Sequence, residues 1–212
     1  MGPNIQNRFD NIAKSKTFKN IVKTFDLTRK SVLDIGCSYG EFLVHFGKGS
    51  VGVTIDKGEV EYGKSKGLDI RVGNIESKSF VLEEKFDAIF ANNIIEHLFS
   101  PHEFLIKIKK YLKPEGFIIL GVPCVPKFVS LLHFSKFRGS MAVSHINFFT
   151  RNTLIKTVES AGFDVKEVRG FRLNDNLFDH LLDFIYPHFY VMAVPKKDFE
   201  YSDKILRELA GY

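Results

Sequence analysis

The sequence predicts an α/β fold: a doubly wound sheet of seven strands, mostly parallel with an antiparallel last strand, and helices on both faces. Three observations carry this expectation. Ser31 to Gly40 (SVLDIGCSYG) begins as an apolar strand, breaks at Gly36 and Gly40, and gives way to a helical pattern over 41–46. From there to Val122, strand-length apolar segments alternate with helical patterns, as in parallel strands joined by right-handed crossovers. The last two strand segments are joined only by a helical pattern over 175–186, which need not cross the sheet, so the final strand can run antiparallel.

Each element has its own signal. Over 4–26, Ile5, Phe9, Ile12, Phe18, Ile21, Val22 and Phe25 recur at helical spacing, in one helix or two, placed to cover the sheet edge or close over a ligand. The first strand ends at Gly36, and Gly47 closes the helical pattern behind it. A second strand over 50–55 stops at Asp56; a short helix over 58–66 meets Gly67 as its C-terminal cap. A third strand, 69–72, leads into Gly73-Asn-Ile-Glu76, and a fourth, 86–91, ends at Asn92-Asn93. Residues 94–99 read as a turn, and Pro101 opens a helix buried through Phe104, Leu105, Ile108 and Leu112. Lys113 to Gly116 reads as a turn before the fifth strand, 117–122. Thr150 suits the cap of a helix to Ala161, ended by Gly162; strands at 163–168 and 189–194 and a closing helix over 199–210 complete the order.

Composition bounds the function. The 212 residues suffice for one α/β domain, and 44% hydrophobic with 26% charged residues is ordinary for a globular protein. The net charge of +5 is spread over scattered lysines, so a nucleic-acid partner is not expected. Cys37 and Cys124 form no C-x-x-C pair, which argues against a disulfide framework or zinc site and for a reducing compartment. With a polar start and no apolar run of spanning length, the expected location is cytoplasmic. One domain is expected over 1–212. Its segment 123–149, rich in aromatics and basic residues, is read as a lid or acceptor-binding insertion, which equally suits a dimer contact or a membrane-surface patch.

The candidate site residues gather at strand ends. Gly36 and Gly40 let a ligand approach the backbone, and the amides of a following helix favour an anionic group. Asp34 can accept from an ammonium group, or only cap the loop. Asp56 ends the second strand about twenty residues past the turn, where a carboxylate takes both hydroxyls of a ribose or caps a helix. Asn74 offers donor and acceptor to a base edge, and Ile75 an apolar face. Asn92 and Asn93 can orient a ligand with their amides.

These segments resemble the class I S-adenosylmethionine-dependent methyltransferases over nearly the whole chain. Val32 to Gly40 is similar to the family's first motif, Gly73 to Glu76 to its adenine-side loop, and 86–98 and 112–120 to its fourth- and fifth-strand motifs. His145-Ile-Asn-Phe-Phe-Thr150 and Ala161-Gly-Phe163 resemble the branch holding ubiquinone-type O-methyltransferases and many small-molecule methyltransferases. The resemblance implies a Rossmann-like fold and S-adenosyl-L-methionine as cofactor, with S-adenosyl-L-homocysteine as product. It implies that Gly36, Cys37, Ser38 and Gly40 line the methionine portion, with Asp56 on the ribose and Lys57 beside the adenine. Asn74 and Ile75 would hold the adenine, and Asn92 would lie near the sulfonium. Two departures are Ser38, where a glycine is common, and Asn74, where an aspartate is common.

Three other functions compete. Gly36-Cys-Ser-Tyr-Gly40 also fits the G-x-S-x-G nucleophile elbow, with Ser38 attacking, but no earlier strand or oxyanion loop precedes it. A nicotinamide dehydrogenase would suit Asp56, yet the turn lacks G-x-G-x-x-G. A non-catalytic cofactor- or partner-binding protein on the same fold remains a third reading. For methyl transfer to a small-molecule acceptor, His97 and His145 are the candidate general bases for a hydroxyl. No metal-ligand spacing is visible, so metal independence is expected. Monomer and homodimer both stay open.

Overall fold

The computed structural model describes residues 4–125, 144–173 and 187–201. The expected helices over 175–186 and beyond 201, and most of the 123–149 insertion, lie outside the described residues. Among the described residues, seven strands form one sheet: β1 (Val32–Ile35), β2 (Val51–Thr54), β3 (Ile70–Val72), β4 (Phe86–Asn92), β5 (Leu112–Pro123), β6 (Phe163–Arg169) and β7 (His188–Pro195). Their spatial order is β3-β2-β1-β4-β5-β7-β6. Strands β1 to β5 pair in parallel. The last strand, β7, runs antiparallel to both its neighbours and lies between β5 and β6 rather than at the edge. The connections turn one way from β1 to β2 and the other way to β4, so the sheet's switch point lies at the carboxyl ends of β1 and β4.

The 4–26 segment is two helices, α1 (Ile5–Lys14) and α2 (Lys16–Thr24), divided at Ser15, which caps α2 by accepting from the Phe18 amide. They cover a sheet face, not an edge: Phe18, Ile21 and Phe25 pack with Val32, Phe90 and Ile119. The Phe18 ring meets those of Phe42, Phe46 and Phe90 at centroid distances of 5.0, 6.0 and 6.2 Å. On the opposite face, α4 (Pro101–Ile108) and α5 (Arg151–Ser160) bury Phe104, Leu105, Ile108, Leu154 and Val158 against Leu33, Ile89, Ile118 and Val191. Helix α3 (Lys57–Ser65) buries Val60 with Ile70 and Leu43.

Two local expectations are corrected. The segment after the glycine turn is not an α-helix but a single 3-10 turn, Leu43–His45. Only a short run separates Gly40, at φ +91°, from Gly47, whose missing Cβ would meet the Lys30 backbone, so the chain has no length for a nucleated helix. The expected turn at Lys113–Gly116 lies inside β5, where the register with β4 shifts and Glu115 adopts φ +63°. Among the described residues, no helix is long and apolar enough to cross a membrane.

Candidate functional site

The glycine turn after β1 closes on β2: the amides of Gly36 and Cys37 donate to the Val53 carbonyl at 2.8 and 3.1 Å. These amides are therefore not turned to a ligand, and no α-helix N-terminus follows them, which corrects the anion cradle expected here. Gly36, at φ +73°, is exposed, and a Cβ there would stand 2.0 Å from Cδ1 of Ile94. Gly40 is buried and packs on Leu68 and Ile70. Cys37 points away from the cleft: a Cβ on Gly52 of β2 would lie 2.6 Å from its Sγ, and burial pushes its thiol far above the ordinary range.

Two carboxylates are buried beside this turn. Asp34 is 2% exposed and Glu41 4% exposed, and each has one oxygen, Oδ2 and Oε2, without a hydrogen-bond partner. Burial, with the neighbouring charge of Glu41, holds the Asp34 pKa well above the carboxylate range. The other Glu41 oxygen accepts from Arg8 of α1, whose Nε lies 2.9 Å away and whose guanidinium sits 5.3 Å from the Tyr39 ring centroid. This arrangement has acceptors in excess, the condition that attracts a cationic or ammonium-bearing ligand.

At the end of β2, Asp56 is exposed, and its Oδ1 accepts from the amides of Gly58 and Glu59 at 2.7 and 3.1 Å as the N-cap of α3. Lys57 begins that helix and is also exposed. The carboxylate reaching back to the sheet belongs to Glu59. Its two oxygens accept from Ser38 Oγ at 2.7 Å and from Thr54 Oγ1, tying the glycine turn to β2. Ser38 sits at φ +48° with its hydroxyl turned to this carboxylate.

A cavity of about 260 Å³ opens at the carboxyl ends of β1 and β2. Gly36, Thr54, Asn74, Ile75, Ile94 and His97 are among its walls. Four of the expected residues thus come together, namely Gly36, Asn74, Ile75 and His97. Asp34, Cys37, Ser38, Gly40, Asp56, Lys57, Asn92 and His145 stand outside this wall. Asn74 Oδ1 accepts from the Glu76 amide at 2.9 Å, and Glu76 in turn accepts from the Phe99 amide at 2.7 Å, so the β3 loop is braced against the β4 loop.

Beyond β4, the Asn92 side chain lies over Gly121, where a Cβ would come within 2.0 Å of its Oδ1, and that oxygen is buried without a partner. Asn93, at φ +55°, pairs its Oδ1 with His188 Nε2 at 2.9 Å. Burial and Arg172 push the His188 pKa down to about 4, so its ring is neutral near pH 7. His188, read from the sequence as a helix or surface residue, instead begins β7 beside the cleft. A 3-10 turn, Ile95–His97, then presents Glu96 and His97. The Glu96 carbonyl accepts from the amides of Ile146 and Asn147, both at 3.0 Å, which brings His145 to His97 with ring centroids 4.7 Å apart. Glu96 escaped sequence reasoning because it precedes a more conspicuous histidine; Glu59 escaped because it lies within the first turn of a helix.

A crevice lined by a glycine turn and strand-end loops beside the sheet's switch point is where α/β folds of this class take their ligands. The methyltransferase-domain family profile matches residues 9–168. The chain belongs to the class I S-adenosylmethionine-dependent methyltransferase family. It is 26% identical over 131 residues to the uncharacterized protein MJ1123 of Methanocaldococcus jannaschii, covering 62% of this chain and 63% of that one. It is 24% identical over 157 residues to a ubiquinone biosynthesis O-methyltransferase of Roseobacter denitrificans, covering 68% and 63%. The chain thus spans somewhat under two thirds of the length of both relatives. A crystal structure of an S-adenosylmethionine-dependent methyltransferase from Clostridium acetobutylicum shares the fold, with a TM-score of 0.64, 12% identity, and coverage of 91% of this chain and all of that one.

Proposed function

We propose that this chain is an S-adenosylmethionine-dependent methyltransferase that methylates a hydroxyl oxygen of a small molecule. The observation that carries the reading is the pair of buried carboxylates Asp34 and Glu41 at the switch point, each with an oxygen that has no hydrogen-bond partner, which suits the ammonium end of the cofactor. The chain's residues fit that group. Asp34 and Glu41 accept from the ammonium. Gly36, Ser38 and Gly40 shape the turn that leaves room for the methionine portion, with Cys37 supporting it from behind. Asp56 and Glu59 would be the carboxylates for the ribose hydroxyls, Asn74 and Ile75 would hold the adenine with Lys57 beside it, and Asn92 would lie near the reacting end.

Bound S-adenosylmethionine supplies an activated methyl group, which the acceptor oxygen takes as the C–S electron pair stays on sulfur and S-adenosylhomocysteine is released. In the metal-free form of this reading, one of His97 and His145 would take up the hydroxyl proton as its oxygen is methylated. The ubiquinone O-methyltransferase relative supports oxygen as the acceptor atom. Buried Cys37 and Cys124, outside any C-x-x-C pair, support a reducing, cytoplasmic setting, and the reading is of one domain acting as a monomer or homodimer.

Calorimetric titration with S-adenosylmethionine tests the cofactor, and a methyl-transfer screen of phenols against amines tests the acceptor. Asp56→Asn keeps the helix cap but loses charge, whereas Glu59→Gln leaves the cap untouched. The expected result is a loss of affinity of at least about tenfold in one or both variants. Absence of cofactor binding to the wild-type chain overturns the function. Wild-type affinity in both variants overturns the ribose assignment.

A further inference from the structure

We propose that Glu96, His97 and His145 bind one divalent first-row transition-metal ion of the zinc class at the rim of the cleft. One ligand atom from each of the three residues lies within 4.8 Å of the other two. Glu96 is 1% exposed, and neither of its carboxylate oxygens has a hydrogen-bond partner. Burying a carboxylate without donors is costly, so the group calls for a positive partner. His97 lies too far for a hydrogen bond to meet that demand: its Nε2 stands 3.8 Å from Glu96 Oε1, and the second oxygen is left aside.

The orientation of His97 points the same way. Its Nδ1 lies 2.9 Å from the Ser144 carbonyl, which can only accept, so Nδ1 carries a proton and, in the neutral ring, the lone pair is on Nε2, toward Glu96. A ligating imidazole is commonly oriented by donating its other ring N–H to a carbonyl in this way. The loop bearing His145 is clamped to the same turn through the Glu96 carbonyl and through Asn147 Nδ2, which donates to the Leu98 carbonyl at 2.7 Å. Two imidazoles and one carboxylate make a borderline donor set that suits zinc, cobalt or iron(II), with positions open to a further ligand.

The proposal departs from the metal-free expectation, because its ligands come from segments far apart in the chain and form no local spacing pattern. Resting on the function proposed above, but in place of its histidine base, the ion would take the acceptor oxygen as its open ligand and lower the pKa of that hydroxyl, whose proton would pass to solvent. The binding claim itself stands on geometry alone.

The test uses the full chain, stripped with a chelator and titrated with cobalt(II), read by calorimetry and by visible absorption, with S-adenosylmethionine titrated separately in the stripped protein. One cobalt per chain is expected. Glu96→Gln and His145→Gln should each weaken it at least about tenfold, with folding checked by circular dichroism. Should buried Glu96→Gln fail to fold, His145→Gln, on a half-exposed segment, decides alone. Absence of a one-site cobalt signal in the wild-type chain, or unchanged affinity in a folded variant, overturns the site. Cofactor binding without cobalt binding removes the metal and leaves the methyltransferase reading; cobalt binding without cofactor binding does the reverse.

Discussion

Asp34 shows how one side chain ties stability to binding. Its folded pKa stands above the ordinary 3.8, so the native state holds that proton more tightly than the unfolded chain. Stability is therefore lost as pH rises from 3.8 through the raised value, where the buried carboxylate forms without enough donors. An ammonium group beside Asp34 reverses the balance by favouring the ionised form. Cofactor binding should therefore release a proton from Asp34, with affinity rising with pH until that group is ionised in the free protein. Calorimetry in buffers of different ionisation enthalpy measures the release, and Asp34→Asn should abolish this contribution. The sequence made Asp34 legible as a strand-end acid but not Cys37 as an inward-facing residue. Gly36 at φ +73° resets the alternation of side chains at that point, so no strand period carries across the turn. Asp56 was legible as an acid at the end of β2, and both roles weighed for it had physical grounds. Which carboxylate reaches the sheet depended on the rotation of α3, and that brought Glu59 to Ser38 and Thr54.

Among the elements, those with caps followed the sequence most closely. Thr150 accepts from the Thr153 amide while Thr153 Oγ1 accepts from the Thr150 amide, closing a reciprocal box at the start of α5. Thr150→Ala should cost about 1 kcal/mol of stability, seen as a lower urea midpoint with an unchanged m-value. A larger loss would mean that Thr150 also supports the neighbouring Phe149, which is 6% exposed and bridges to Cys124. Helix α4 was equally readable, because Pro101 opens it, and the structure adds Ser100 as its cap. The run over 41–46 was misleading for the opposite reason. It has apolar residues at helical spacing but lies between two glycines and turns the Glu41 carboxylate inward toward Arg8. Tertiary contacts decided that segment, and no local pattern records them.

For the whole molecule, alternating strand and helix signals established the parallel half of the sheet, and the glycine turn marked its switch point. The seating of β7 between β5 and β6 was not legible, because neither neighbour carries a marker of which edge it will offer. That seating has a consequence for the order in which the molecule is made. Strands β1 to β5 can assemble as soon as they leave the ribosome, but β5 keeps a bare edge, and β6 lacks its partner, until residues 188–195 arrive. A chain shortened to end before His188 should therefore retain much of its helical circular dichroism yet self-associate, detected as concentration-dependent aggregation by light scattering. A monodisperse shortened chain would show that β5 is covered by something else in the meantime. The same strand brings His188 to Asn93, just past the end of β4. A nascent chain thus covers the β5 edge and gains the His188–Asn93 contact in a single step.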